Sequence, residues 1–346
     1  MKNIDGEFLV NTYKKLLINN EKTKSLLDFL EGKKRFDELM PISIELHLTN
    51  RCNLNCEWCV DKQIRKSKDS LKLDTLQAFV EDIAWKNIGL TIEGGGEPTL
   101  YEKFNEFVLL CYRNGIKLGL ITNGVKILPI EILKCFDWIR VSLDSTNREE
   151  YIKEKGVDCF ETVVSNIKRI AREAPEVILS IGYVITTRNC ENISKLFSLF
   201  EDVKIDHFRI RTVEEYDKYM ISQKKAEELS RIINDVAKRK HANVLLSLVR
   251  QEENDNKGLP CIAHSLRAII HADGNVLVCE KRRHDIMILG NINKDKFSKI
   301  WLNKKHCEMA KKLSKPESQK GCTVCRITKY NEIITELQKM STTNFI

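Results

Sequence analysis

The sequence predicts an α/β fold with a sheet of parallel strands, followed by a smaller α+β domain. From residue 42 onward, apolar strand patterns alternate with helical patterns six times. A polar stretch at residues 251–258 then interrupts this alternation. Six βα units are too few to close an eight-stranded barrel. We therefore expect an N-terminal helical extension (1–41), an open parallel core (42–250) and a C-terminal domain (251–346).

Each predicted strand is a short apolar run, and each predicted helix repeats its apolar residues with a period near 3.6. The strands are expected at residues 42–48, 87–93, 116–122, 138–143, 177–185 and 207–211. The helices between them are expected at 74–86, 102–114, 127–136, 160–173, 193–201 and 223–240, and residues 8–38 show helical periodicity before the first strand. In parallel sheets the chemistry lies at the carboxyl ends of the strands.

Three closely spaced cysteines follow the first predicted strand. Cys52, Cys56 and Cys59 form a Cys-x3-Cys-x2-Cys loop, which can hold three irons of a [4Fe-4S] cube and leave the fourth iron open. Zinc would need a fourth Cys or His nearby. The loop resembles the signature of the radical S-adenosylmethionine (radical SAM) enzymes. That resemblance implies that the open iron chelates the amino and carboxylate groups of SAM.

A glycine-rich turn ends the second predicted strand. It contains Gly94, Gly95, Gly96 and Glu97, and consecutive glycines let the backbone come close to a ligand. An ordinary βα loop would also contain glycine. Together with the cysteine loop, however, the turn resembles the family's GGEP motif, which implies that it holds the methionine amino group of SAM.

The resemblance implies further contacts with SAM. Trp58 stands where the family has an aromatic residue beside the adenine, and Asn123 ends the third strand near the expected ribose. Ser142 begins a segment similar to the family's SLDG strand end, where the serine contacts SAM. Lys153 and Lys155 stand where many relatives place an arginine for the SAM carboxylate, so this contact would be a point charge rather than a bidentate fork.

A second group of cysteines lies beyond the polar stretch. Its members are Cys261, Cys279, Cys322 and Cys325. Two short apolar runs flank Asp273-Gly274 between the first two cysteines, which is a hairpin signal that would bring their thiols together. Four thiolates suit either an auxiliary [4Fe-4S] cluster or a structural zinc ion.

Downstream sequence favours the cluster. Gly290-Asn291-Ile292 followed by Ile300-Trp301 resembles a segment of the SPASM/twitch domains of radical SAM enzymes. Because only Cys307 lies between the ligand pairs, the resemblance implies a twitch-type domain with one auxiliary cluster. Taken as a whole, the resemblance implies a partial (β/α)6 TIM barrel with a small C-terminal α+β twitch-type domain. This architecture is similar to that of 2-deoxy-scyllo-inosamine dehydrogenase.

Candidate catalytic residues stand near the strand ends. Asp144, His207, Arg209 and Glu214 are the candidates for a proton-accepting base, although arginine would need an unusual environment for that role. Cys190 follows the fifth strand, where a thiol can return a hydrogen atom to a substrate radical. A free cysteine is more often a small buried apolar residue, so this role competes with a structural one.

The composition limits the cellular compartment and the kinds of partner that we expect. The twelve cysteines follow no signal-peptide pattern, which indicates a reducing, cytoplasmic compartment. No apolar run approaches the roughly 20 residues of a membrane span. The net charge of +8 is scattered rather than gathered in a stripe, so we expect no nucleic acid partner and a lean toward a phosphorylated or nucleotide-linked substrate.

The expected chemistry is generation of a 5′-deoxyadenosyl radical by reductive cleavage of SAM, with flavodoxin or ferredoxin as the external reductant. The first hypothesis for the outcome is oxidation of an alcohol to a ketone on a carbohydrate, aminocyclitol or nucleotide-linked sugar, with the auxiliary cluster as electron acceptor. The alternatives are epimerisation and modification of a peptide, such as thioether formation. A non-enzymatic iron–sulfur or zinc module would have no use for the loop Gly94–Pro98.

Overall fold

The computed structural model describes residues 20–214, 216–248, 258–280, 287–315, 322, 325 and 327–339. The predicted helical segment before residue 20 and most of the polar stretch, residues 251–257, lie outside these ranges. Two compact units are present. The sheet unit contains Leu46–Leu76 and the described residues from Leu90 to 248, and the hairpin unit contains those up to Glu45, Gln77–Gly89 and those from 258 onward.

All six predicted strands of the core are present. The strands are Ser43–Leu46 (β1), Gly89–Ile92 (β2), Leu118–Thr122 (β3), Trp138–Ser142 (β4), Ile178–Ile185 (β5), His207–Thr212 (β6), Val244–Ser247 (β7), Arg267–Ile270 (β8), Asn275–Leu277 (β9) and Ile288–Asn291 (β10). A seventh strand, β7, which is not among the six predicted βα units, pairs parallel to β6 and extends the sheet. Its apolar run has the length of a buried strand and nothing else in the sequence marks its pairing.

The helices agree with the predicted pattern at most positions. They are Asn20–Leu30 (α1), Leu73–Ile83 (α2), Phe104–Arg113 (α3), Ile130–Leu133 (α4), Arg148–Lys155 (α5), Phe160–Glu173 (α6), Gln223–Arg239 (α7), Phe297–Trp301 (α8), Lys304–Leu313 (α9) and Thr328–Lys339 (α10). None of the described helices is both long and apolar enough to cross a membrane.

Two predicted helices are shorter or tighter than expected. The helix predicted for 127–136 reduces to α4, because Pro129 fixes its N-cap and keeps the preceding residue out of the helical region. The segment predicted for 193–201 forms two 3₁₀ stretches, Cys190–Leu196 and Ser198–Phe200, instead of an α-helix. Its buried side chains fall three residues apart, which matches the three-residue turn of a 3₁₀ helix.

Helix α5 was not predicted. The Asn147 side chain accepts a hydrogen bond from the Glu150 amide at 3.0 Å to start it, and Gly156 ends it in the left-handed conformation with φ 74°. Charged residues dominate the helix, so it has no apolar stripe for a periodicity search to find. The capping residues Asn147 and Gly156 were the features of the sequence that could have predicted this helix.

The sheet unit has two chemically different faces. Strands β2 to β7 run parallel in sequence order, with Ser142 beside Gly182 and Gly182 beside Arg209 in register. One face is packed under helices, as the contact between the Phe208 and Phe197 rings at 5.0 Å shows. The opposite face carries polar side chains at alternate positions, and we call it the inner face.

The hairpin unit confirms the predicted hairpin. β8 and β9 pair antiparallel with Ile270 opposite Val276, and Gly274 makes the turn with φ 88°. β10 pairs antiparallel with β9. Gly290 lies against α8, since a Cβ atom there would meet Ile300 at 2.9 Å. Leu26 of α1 packs in one apolar cluster with Ala263 and with Ile334 of α10, within the hairpin unit.

Candidate functional site

The loop after β1 holds three partly exposed thiols. The pKa of Cys56 is raised to about 11, chiefly by burial; the nearby Lys155 ammonium opposes the rise, and the thiols of Cys59 and Cys52 add to it. Burial likewise raises the pKa of Cys52. No three His, Cys, Asp or Glu side chains in the described ranges converge on a point that suits a single metal ion. The assignment of these thiols as cluster ligands rests on their spacing and their mutual proximity.

Three contacts fix the shape of this loop. The Asn55 amide donates to the Lys155 carbonyl at 2.8 Å, and the Tyr216 hydroxyl donates to the Cys59 carbonyl at 2.8 Å. The Arg65 guanidinium donates to the Leu54 carbonyl at 2.6 Å and also reaches the thiol of Cys59. α5 and the segment after β6 therefore hold the thiol loop from outside it.

Trp58 is anchored through its indole nitrogen. Its Nε1 donates to Glu154 Oε2 at 2.5 Å, and the other oxygen of Glu154 accepts a bond from the Thr186 hydroxyl at 2.8 Å. Lys155 Nζ lies 5.4 Å from the indole ring centroid. Burial raises the pKa of Glu154, which is 1% exposed. Sequence reasoning missed Glu154, because only the capped helix α5 brings it to Trp58.

The glycines of the second loop allow it to pack closely against the start of the thiol loop, in addition to any access they give to a ligand. Gly94 and Gly95 have φ values of 70° and 61°, which favour glycine. A Cβ atom on Gly96 would lie 1.9 Å from the Arg51 carbonyl oxygen, and one on Gly95 would lie 2.5 Å from Asn50 Oδ1. The missing side chains therefore let this turn pack directly against the start of the thiol loop.

We expect Gly95→Val to weaken SAM binding at least about tenfold while the iron content stays unchanged. A branched residue at positive φ costs about 1–3 kcal/mol, and the added side chain must also displace Asn50. SAM affinity of the reconstituted protein, measured by equilibrium dialysis, checks this. Gly89→Ala is the matched control, because a Cβ there meets its nearest atom at 3.9 Å. Unchanged affinity in Gly95→Val would show that this turn does not shape the SAM site.

Glu97 joins the second and third loops through its side chain. Its carboxylate accepts four hydrogen bonds, from the Thr99 amide (3.1 Å), the Thr99 hydroxyl (2.7 Å), the Thr122 hydroxyl (2.6 Å) and the Asn123 amide (2.7 Å). Burial raises the pKa of Glu97, and these donors oppose the rise. Glu97 is 3% exposed, so it positions the turn rather than presenting a charge to solvent.

Asn123 and Ser142 end adjacent strands of the sheet unit. The Asn123 side chain donates to Asn53 Oδ1 at 2.7 Å and accepts a bond from the Val125 amide at 3.0 Å. The third loop is thus tied to the thiol loop. Ser142 is half-buried at the end of β4, on the inner face. The loops after β1, β2 and β3 therefore belong to one connected set of contacts in the sheet unit.

The two lysine candidates differ in their surroundings. Lys155 is 2% exposed and its ammonium pairs with the Asp144 carboxylate, so its charge already has a partner. Lys153 is exposed on α5 and accepts a bond from Arg188 through its carbonyl at 3.1 Å. Asp144 is 1% exposed and its other oxygen accepts the Val184 amide at 2.6 Å. This pairing gives Asp144 and Lys155 a joint structural role beside the thiol loop.

The remaining catalytic candidates lie at different levels of the sheet. His207 begins β6, at the end opposite the thiol loop, and burial lowers its pKa. Arg209 is exposed in the middle of β6. Glu214 follows the carboxyl end of β6 and pairs with Arg211 at 3.0 Å. Of these acidic and basic groups, Glu214 has the position expected for a base.

Cys190 is buried at the start of the 3₁₀ segment after β5. It is 5% exposed, and its thiol lies 3.7 Å from Glu191 Oε1. Burial is the main cause of the raised pKa of Cys190. Glu191 adds to the rise, and the nearby Lys225 of α7 opposes it. These groups belong to the helical layer, and none of the contacts described for Cys190 joins it to the thiol loop. Its role as a hydrogen donor stays a prediction.

The second cysteine group belongs to the hairpin unit. The pKa of Cys261 is raised to about 12, chiefly by burial, and the thiols of Cys325 and Cys279 lie close enough to contribute to the rise. The Cys261 amide donates to the Leu313 carbonyl at 3.0 Å. Cys322 is partly exposed, as are the other three. Neighbouring thiols suit a cluster, whose binding would remove their protons.

Comparison with known proteins identifies two family models that match this chain. A model of the radical SAM superfamily matches residues 46–200, and a model of the SPASM iron–sulfur cluster-binding domain matches residues 261–326. Mycofactocin maturase MftC of Mycolicibacterium smegmatis is 24% identical over 304 residues, covering 82% of this chain and 75% of the maturase. An S-adenosylmethionine-dependent nucleotide dehydratase of Selenomonas ruminantium is 28% identical over 164 residues, covering 44% of this chain and 59% of the dehydratase.

A solved structure shares the fold. Streptococcus suis SuiB bound to the precursor peptide SuiA superposes with a TM-score of 0.65 and 18% identity, covering 86% of this chain and 73% of SuiB. At this identity the match concerns the fold alone. It agrees with the predicted partial barrel and its C-terminal cluster domain.

Proposed function

Since this chain belongs to the radical SAM superfamily and carries a C-terminal SPASM domain, we propose that it oxidises an alcohol of a small anionic substrate to a ketone. The substrate class we propose is a phosphorylated carbohydrate, aminocyclitol or nucleotide-linked sugar. When bound, SAM and the two [4Fe-4S] clusters supply a 5′-deoxyadenosyl radical and a one-electron acceptor, and flavodoxin or ferredoxin supplies the initiating electron.

The proposed step balances in atoms and electrons. Bound SAM would supply the radical that takes a hydrogen atom from the substrate carbon, a base would accept the hydroxyl proton, and the auxiliary cluster would accept the remaining electron. Cys52, Cys56 and Cys59 would hold the SAM cluster, and Cys261, Cys279, Cys322 and Cys325 the auxiliary one. Glu214, at the carboxyl end of β6, is our candidate for the base.

One observation carries the preference for oxidation. Cys261 lies close to both Cys279 and Cys325, which supports a second cluster in the SPASM domain; Cys322 would complete its ligands. A cluster with four protein thiolates has no open iron for a ligand, so its simplest use is electron transfer. Epimerisation would rely instead on a thiol donor, and Cys190 is buried against Glu191.

Peptide modification is the second candidate. The similarity to a mycofactocin maturase and the shared fold with SuiB, which was solved with its precursor peptide, favour it. The chain is only distantly related to these proteins. The net charge of +8 favours the small anionic substrate.

The products distinguish these candidates. We expect each turnover to yield one 5′-deoxyadenosine and a product lighter by two hydrogen atoms, with no solvent hydrogen at carbon. Mass spectrometry of reactions in ordinary and heavy water measures this. Cys190→Ala should stay active, and Cys135→Ala, on the outer side of the core, is its control.

Other isotope patterns would contradict oxidation. Epimerisation would give a product with the mass of the substrate in ordinary water and with one added deuterium in heavy water. The Cys190→Ala variant would then form no product. A peptide product that contains a new thioether, or that takes up deuterium from heavy water at one of its residues, would establish peptide modification.

A further inference from the structure

Arg65 lies beside the thiol loop because the segment after Cys59 turns back toward it. One turn of 3₁₀ helix, Ile64–Lys66, carries this arginine. The Arg65 amide donates to the Asp61 carbonyl at 3.0 Å, and the Asp61 carboxylate accepts the Gly95 amide at 3.1 Å. The segment is thus fastened to the glycine turn, which fixes where the arginine side chain starts.

The guanidinium of Arg65 contacts the thiol loop from within the same unit. Its Nη2 donates at 2.6 Å to the carbonyl of Leu54, which lies between Cys52 and Cys56 in the sequence. Its Nε is buried and has no hydrogen-bond partner in the part of the chain that the structure describes. Buried N–H groups nearly always have an acceptor, so a donor beside three thiols suits the sulfur atoms of a cluster.

The charge of Arg65 acts on the thiols of this loop. Burial alone would lower the pKa of Arg65, but the three neighbouring thiol groups together raise it, and the guanidinium reaches the thiol of Cys59. Burial raises the pKa of Cys52, and Arg65 opposes that rise. The guanidinium therefore stabilises the anionic form of these thiols, which is the form that binds iron.

No carboxylate balances the charge of Arg65 in the described ranges. Lys155, which also lies near a thiol of the loop, is paired with Asp144. Arg65 makes no such ion pair with an aspartate or glutamate among the described residues. A cluster gains one negative charge when it is reduced, so an unbalanced guanidinium beside its thiolates stabilises the reduced form more than the oxidised form.

We propose that Arg65 raises the reduction potential of the cluster held by Cys52, Cys56 and Cys59, through its positive charge and its contact with the Cys59 sulfur. This inference rests on the cluster ligands assigned under the proposed function, but it holds whichever reaction the radical then performs. Net charge and hydrogen bonds to sulfur are two of the features that set the potential of an iron–sulfur cluster. With this arginine in place, a weaker reductant can supply the initiating electron.

The midpoint potential of this cluster tests the role without turnover. The anaerobically reconstituted holoenzyme is poised at a series of potentials, and the reduced clusters are measured by electron paramagnetic resonance. The signal that is lost when Cys52, Cys56 and Cys59 are all changed to alanine belongs to the SAM-binding cluster. The signal that remains belongs to the auxiliary cluster and serves as an internal standard.

We expect Arg65→Gln to make reduction of the SAM-binding cluster at least about tenfold less favourable, which lowers its midpoint potential by about 59 mV or more for a one-electron couple. The internal standard should keep its potential. Lys66→Gln is the matched control, because it removes the same charge from the next residue, whose side chain is exposed. It should leave both potentials unchanged.

Arg65→Lys separates the charge from the shape of the side chain. It keeps the charge and loses the planar fork, so its potential should shift less than half as much as that of Arg65→Gln. Iron assays show whether each variant holds its clusters. If Arg65→Gln loses the SAM-binding cluster, Arg65→Lys decides the question: a retained cluster with a nearly unchanged potential supports the role, and a lost cluster refutes it.

Three other results would refute the role. These are an unchanged potential in Arg65→Gln, an equal shift in Lys66→Gln, and a shift in Arg65→Lys as large as that in Arg65→Gln. The last result would mean that Arg65 only supports the Leu54 carbonyl. Failure of the cluster assignment itself looks different, because the unchanged protein would then show no signal that the triple cysteine variant lacks.

Discussion

The variant with Cys52, Cys56 and Cys59 all changed to alanine is expected to hold about four irons after anaerobic reconstitution, where the unchanged protein holds about eight. The loss follows because these thiols share one loop and one cluster, while Cys261 and its neighbours lie in the other unit. Cleavage of SAM should fall below detection, since the open iron is lost with the cluster. Iron and sulfide assays and chromatography of 5′-deoxyadenosine measure both effects.

A matched triple variant controls for the loss of thiols as such. Cys111, Cys135 and Cys159 also lie in the sheet unit, and the first two are buried on or beside helices of the core. Their joint replacement by alanine should leave the iron content and SAM cleavage in place. Tightly bound zinc in the protein as isolated, with a single cluster after reconstitution, would contradict the auxiliary cluster.

Sequence reasoning identified the parts of the site that are local in the chain. The thiol loop, the glycine turn and the hairpin around Gly274 each carry their signal within about a dozen residues, where spacing and turn chemistry are sufficient. The strand ends followed from the alternation of strands and helices. These features needed no knowledge of which distant residues meet.

The contacts that support the site could not be found in this way. Glu154 and Trp58 are 96 positions apart, and their hydrogen bond depends on a helix with almost no apolar residues. The pairing of Asp144 with Lys155 depends on the same helix. The seventh strand is a similar case. Its apolar run predicts a short buried segment, and only its pairing with β6 identifies that segment as a strand of the sheet. Tertiary packing, not local propensity, decides each of these.

The pair Asp144–Lys155 leads to a stability prediction of large size. Both side chains are almost fully buried, at 2% and 3% exposure, so each charge depends on the other for its stabilisation. Removing one partner from a buried pair leaves an unpaired charge and costs about 3–5 kcal/mol, whereas replacing both can be nearly neutral. Asp144 also has φ 58°, so Asn, which tolerates this conformation, is the suitable replacement.

We expect Lys155→Met and Asp144→Asn each to lower the free energy of unfolding of the sheet unit by about 3–5 kcal/mol, and the double variant to recover most of that loss. Chemical denaturation followed by tryptophan fluorescence measures the three variants and gives the coupling energy. Lys117→Met is the control, because its partner Asp137 lies 3.1 Å away in an exposed pair, which is worth less than about 1 kcal/mol. Additive losses in the double variant would show that the two side chains do not depend on each other.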